Sequence, residues 1–247
     1  MEVHHHPEVA KKDLKEYLLE GLMIFLAVML GFISENIREH LVEHEREQDF
    51  MQLLSNDIKS DIIRLNDLID ARNSKERHLD SLMLFLNGPS KNEHLNDIYY
   101  YAIQIPRGIS TRFTPNDGTI QQLKNSGGLR LIHHLDVADS IMKYDVSVRD
   151  LLRTIEVESR YTDDYRKIAP RVLNALVLDG MTDTLNWIHR PINNPALLPY
   201  DATTLAEYNS AIFSIKSVNR AVRRGARELL LQATDLEKAL KEQYNTD

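Results

Sequence analysis

The sequence has no cysteine, which excludes disulfides, thiolate metal sites and thiol nucleophiles. A cysteine-free chain suits either side of a membrane and does not locate this one. Glycine and proline are scarce, 9 and 8 of 247 residues, so breakers are few and long helices are favoured over a turn-rich β fold. A surplus of basic charge is also missing. Lys and Arg number 30 against 37 Asp and Glu, a net −7, which gives no support for a nucleic-acid partner. No long polar–apolar alternation argues for a sheet, and no internal repeat recurs. The 43% hydrophobic and 27% charged content is that of a folded chain rather than a disordered one. The length has room for one ordinary domain and an anchor.

The one long apolar run is YLLEGLMIFLAVMLGFI, residues 17–33, in which only Glu20 is charged. From residue 21 to residue 33 no side chain is polar. As a helix the 17 residues extend about 25 Å, the short end of what crosses a bilayer. A core helix of a soluble protein normally keeps a polar stripe, and this run is apolar all round. It ends Gly-Phe-Ile-Ser-Glu-Asn with no small-x-small cleavage site, so it reads as an uncleaved signal anchor. Lys11, Lys12 and Lys15 precede it, and Arg38 and Arg46 follow among five glutamates. The positive-inside rule then puts the N-terminus in the cytoplasm and the main domain outside. Glu20 lies one turn inside the edge, where it reaches the interface or packs against another membrane helix.

The expected organisation is a flexible tail (1–12), a transmembrane anchor (13–34), a helical stalk (35–50) and a soluble helical-bundle domain (51–247). Met51, Leu54, Ile58, Ile62, Leu65 and Ile69 form one helical face. A second helix is expected over 75–86, stopped by Asn87-Gly88-Pro89, and a third over 92–103. Residues 106–118 read as a loop, 119–125 as a short helix ending at Ser126-Gly127-Gly128. Residues 136–178 read as mostly helix, kinked or split at Pro170. A proline-rich loop over 179–200 surrounds a short helix bearing Trp187, and a long helix covers 203–244. The first and last long helices are amphipathic and cannot bury their stripes alone. The fold class is therefore all-α: an N-terminal transmembrane helix continuing into an antiparallel helical bundle.

Two stretches, GLMIFLAVMLGFISENIREHLVEHEREQDFMQLLSNDIKSDI and LKNSGGLRLI (123–132), together resemble a family of uncharacterised bacterial membrane proteins abundant in Bacteroidota. Members have one N-terminal helix and a helical extracytoplasmic domain. The likeness covers the first 70 residues, the 113–145 region and, loosely, the last helix, and the His-rich start is similar to that of some members. It implies a fold and a location but carries no activity.

Candidate sites are thin. His4, His5 and His6 are consecutive and are weak metal candidates, since three histidines on a loose tail bind unselectively. His40 and His44 lie four apart on one face, the spacing of a two-His site, but a solvated stalk explains them without a third ligand. Ser126-Gly127-Gly128 reads as a helix C-cap near Lys124 rather than an anion cradle. Arg107, Arg112 and Phe113 are candidates to face a partner. Lys216, Arg220, Arg223, Arg224 and Arg227 form a basic stripe, expected to pair with acids such as Asp57, Asp61 and Asp67. His133 and His134 have no Ser or Asp arranged with them for nucleophilic catalysis. No catalytic motif and no cofactor is implied. The expected role is a non-enzymatic interaction or scaffold module in the bacterial cytoplasmic membrane, with the bilayer and a second copy or another envelope protein as partners. The rival reading is an extracytoplasmic small-molecule sensor or accessory subunit of a larger complex.

Overall fold

The computed structural model describes residues 13–106 and 113–246. They form six helices: α1 (Leu14–Asn87), α2 (Leu95–Gln104), α3 (Gly118–Asn125), α4 (Leu135–Ile168), α5 (Ala175–Gly180) and α6 (Ala202–Tyr244). Among the described residues there is no strand, only an isolated bridge between Thr182 and Ile188. The chain divides into two compact units, Met1–Asp49 and Phe50–Asp247, and the fold class is all-α as expected.

In the first unit the described residues are helical from Leu14 onward. Residues 13–41 are all solvent-exposed, including Leu22, Ile24, Phe25, Leu30 and Phe32. This part of α1 is long and apolar enough to cross a membrane. Glu20 is exposed within that run. Farther along, His40 is exposed and His44 faces Glu47, Nδ1 to carboxylate oxygen 3.6 Å.

The second unit is a bundle of three long helices: residues 50–87 of α1, α4 and α6. Asn87 and Asn209 exchange side-chain amide bonds at 3.0 and 2.8 Å, and Arg223 donates to Asn73 at 3.1 Å. One rises along α1 as the other falls along α6, so the two helices run antiparallel. Tyr144 bonds Asp61 and Glu158 bonds Arg72, so α4 runs parallel to α1 and antiparallel to α6. The intervening chain must return along the bundle. Ile105 belongs to the core at one end and Phe113 to the core at the other.

Those two cores are separate. One holds Met51, Leu54, Ile58 and Leu65 of α1 against Ile141 and Tyr144 of α4 and Val222, Leu229 and Leu240 of α6. The other holds Leu79, Leu82 and Leu86 of α1 with Tyr99, Tyr165 and Tyr208. Burying each aliphatic side chain contributes about 1.5–3 kcal/mol.

Local chemistry accounts for the helix ends; it corrects three expectations and bears out another, the break at Pro170. First, α1 does not break between residues 72 and 75. It runs on to Asn87, because Asn73-Ser74 is no breaker and Arg72 and Lys75 are held on one face. It stops where a Cβ on Gly88 would lie 2.8 Å from the Leu84 carbonyl oxygen, with Pro89 following. Second, Pro170 splits the 136–178 stretch: α4 ends at Ile168, a 3₁₀ turn spans Ala169–Arg171, and α5 is a single short helix capped by Asn174. Third, Trp187 is not helical. The Asp183 carboxylate accepts from the backbone N–H groups of Leu185 and Trp187, and Asn186 sits at φ 65°, a turn that competes with a helix. Fourth, Phe113 faces the interior, at 4% exposure. Gly127 does adopt the left-handed C-cap conformation, φ 71°.

Candidate functional site

The three long helices each place polar side chains at one level, between the two cores. These are Arg72, Lys75 and Glu76 from α1, Glu158 and Thr162 from α4, and Asn219 from α6, all at most 9% exposed. Arg72 and Lys75 are three residues apart and so share a face of α1. One Arg72 Nη1 donates to both Glu158 oxygens at 2.6 Å, and Lys75 Nζ donates to Oε1 at 2.6 Å. Thr162 Oγ1 donates to the Glu158 carbonyl. From α6, Asn219 Nδ2 donates to the Arg72 carbonyl at 3.0 Å. Glu76 receives Arg220 and Arg223 at 2.6 and 2.5 Å. Arg72 Nε and Asn219 Oδ1 are buried with no hydrogen-bond partner among the described residues.

Burial by itself would push the Glu158 carboxyl up. The Lys75 and Arg72 charges outweigh it and hold the group below its ordinary range. Burial pulls the Lys75 ammonium down, against the same carboxylate. These charges neutralise one another at a fixed level of all three helices. The arrangement resembles the buried polar positions that set helix register in coiled coils, at a cost in stability.

A second polar group ties the returning chain to α1. Asp61 accepts from Asn116 N at 2.8 Å and Tyr144 Oη at 2.7 Å. Asp57 accepts from Thr119 Oγ1 at 2.6 Å and its N–H at 3.4 Å, so the first turn of α3 is capped by a neighbouring helix. Arg64 donates to the Thr114 carbonyl at 2.6 Å.

Three residues of the basic stripe on α6 pair with α1, but with other acids than Asp57, Asp61 and Asp67. Lys216 meets Asp80, and Arg220 and Arg223 meet Glu76. The antiparallel register brings the middle of α6 to residues 72–80, while Asp57 and Asp61 are occupied by the 114–119 segment. Of the residues singled out from sequence, His4, His5, His6, Arg107 and Arg112 lie outside the described residues. Lys124 reaches Asp145 at 2.9 Å and Phe113 is core, which withdraws it as a partner-facing residue.

Sequence reasoning missed Arg72, Lys75, Glu158 and Asn219. A signal was present. The apolar period 51, 54, 58, 62, 65, 69 continues through 72 and 75 or 76 to Leu79, Leu82 and Leu86, so those charges occupy core positions of an unbroken helix.

Along the seam of α4 and α6, away from α1, four open depressions follow one another. Their volumes are 510, 270, 440 and 460 Å³. Neighbours share Ser147 and Gln232, then Thr154 and Ala221, then Tyr161 and Ser214, so they form one shallow groove. Phe213 stands on it 60% exposed, with Val146 and Tyr161 also open to solvent. No family model matches this chain, and no curated protein or solved structure is detectably similar to it.

Proposed function

We propose that this chain is a membrane-anchored helical interaction or scaffold protein. In this reading residues 13–34 hold it in a bacterial cytoplasmic membrane, with the N-terminus cytoplasmic and the helical domain periplasmic. The observation that carries the reading is the exposed apolar stretch of α1. It includes 62–71% exposed Ile24, Phe25 and Phe32 and leads along one helix into a bundle whose buried charges are spent on one another. An exposed apolar surface of this size is costly in water and is removed by lipid. The buried charges serve to align helices, and the faces left open are long and groove-like, which suits binding another protein.

The test has two arms. Fusing a reporter enzyme that is active only outside the cytoplasm to the C-terminus reads the topology: activity is expected, and a silent fusion beside a fluorescent cytoplasmic reporter contradicts it. Purifying the full chain in mild detergent reads the role: an assembly larger than one copy, with itself or an envelope protein, is expected. A lone monomer without partners contradicts the interaction reading.

A further inference from the structure

The α4–α6 groove names a partner, and the inference rests on the interaction reading above. We propose that the groove is the contact face of a homodimer. Its two-fold axis runs along the helices, so that α4 of each copy lies against α6 of the other and four antiparallel helices close into a bundle.

Three observations favour a second copy. The first is charge. Three of the four depressions set an opposite pair across their two rims: Lys143 on α4 and Asp235 on α6, Asp150 and Arg224 (with Glu228 also on that α6 rim), Lys167 and Glu207 (with Asp164 and Arg171 beside Lys167). Within one copy Lys143, Asp150, Lys167 and Glu207 also pair with Asp139, Arg153, Asp164 and Arg171. Among the described residues, Asp235 and Arg224 carry the unshared charge of the first two depressions. A two-fold along the helices keeps each residue at its own level and exchanges the rims. Asp235 then meets Lys143, and Arg224 meets Asp150, of the other copy, the reciprocal pairing an isologous contact requires. The second is apolar exposure. Tyr161 and Phe213 line the same depression from opposite helices, so the same operation sets Phe213 against Tyr161 of the partner subunit. Short side chains at Ser147, Thr154, Ala221 and Gly225 let the helices come close. The third is area. From residue 140 to residue 168 the groove is about 42 Å long. At the width of two helices it presents about 800 Å² per copy, the size of a standard stable interface. All adjacent helices in the resulting four-helix core are antiparallel, the arrangement common in such bundles. Both copies also present residue 50 at the same end, as two anchors in one bilayer require.

The experiment uses the full chain in mild detergent, its protein mass read by light scattering across a concentration series. Two copies are expected. Arg224→Asp sets like charges against Asp150 of the partner subunit and is expected to weaken association about tenfold or more. Asp150→Arg alone does the same, and the double exchange restores the dimer. Circular dichroism checks that each variant stays folded, and Phe213→Ala, on an exposed side chain, supplies a second loss of affinity without touching the core. The chain has no cysteine, so copies carrying Lys143→Cys mixed with copies carrying Asp235→Cys form a disulfide between chains only if those residues meet. A larger assembly that ignores the charge exchanges and does not cross-link overturns the groove dimer while leaving an interaction role standing. A wild-type monomer that captures an envelope protein does the same. A monomer with no partner sinks both.

Discussion

Arg72 on α1 places one guanidinium nitrogen 2.6 Å from each carboxylate oxygen of Glu158 on α4, in the polar layer that divides the two cores. Removing one side of a buried pair leaves the other charged and unsolvated. Glu158→Ala, which strands both Arg72 and Lys75, is expected to destabilise the bundle by about 3–5 kcal/mol. Replacing Arg72, Lys75 and Glu158 together by Met, Met and Leu is expected to be close to neutral. Chemical denaturation of the wild type and these two variants reads both, and a mild single variant would show that the layer is wetter than its burial implies.

The layer also fixes how stability responds to acid. Because the folded-state value of Glu158 lies below its ordinary 4.5, its stabilisation is complete above that value and is lost as pH falls through the folded one. Asp61 has the opposite sign. Burial raises it above its ordinary 3.8, although Asn116, Tyr144 and Arg64 oppose the rise. Its contribution is therefore present below 3.8 and is lost as pH rises through the folded value. Titrating unfolding free energy from pH 3 to 7 should show Asp61→Asn losing the Asp61 part of the slope and Glu158→Gln losing the acid-labile part.

Phe113 lies at 4% exposure in the core with Leu65 and Leu123. Phe113→Ala is expected to cost about 3–5 kcal/mol. A partner-facing phenylalanine would leave thermal stability unchanged and alter binding alone, so the melting temperature separates the two.

Gly127 ends α3 at φ 71°, where a side chain is strained. Nothing lies within 4 Å of a Cβ built there, so the loss from Gly127→Ala is conformational, about 1 kcal/mol. Gly127→Asn, which tolerates that region better, should lose less.

Helix periodicity and breakers carried much of the fold. The spacing of apolar residues from Met51 to Ile69, the stop at Gly88-Pro89 and a last long helix from about residue 203, one residue from its start at Ala202, are readable because each depends on residues close in sequence. What failed depended on distant ones. A second helix is expected from residue 75, and the sequence does not place Arg72 and Lys75 in the core, since nothing nearby says that Glu158, 86 residues away from Arg72, neutralises them. Phe113 looked exposed among arginines and turn residues, because its burial follows from the chain returning along the bundle. Asp57 and Asp61 looked like partners for the α6 stripe until the register assigned that stripe to Glu76 and Asp80. The α4–α6 groove combines two helix faces, so neither sequence alone displays it.

The most direct measurement is extraction of the full chain from cells at alkaline pH without detergent. The account predicts that it stays in the membrane pellet, that detergent releases it, and that arginines at Leu26 and Met29 move it to the supernatant. Wild-type chain recovered in the soluble fraction, folded and without detergent, would contradict the anchor and the role built on it.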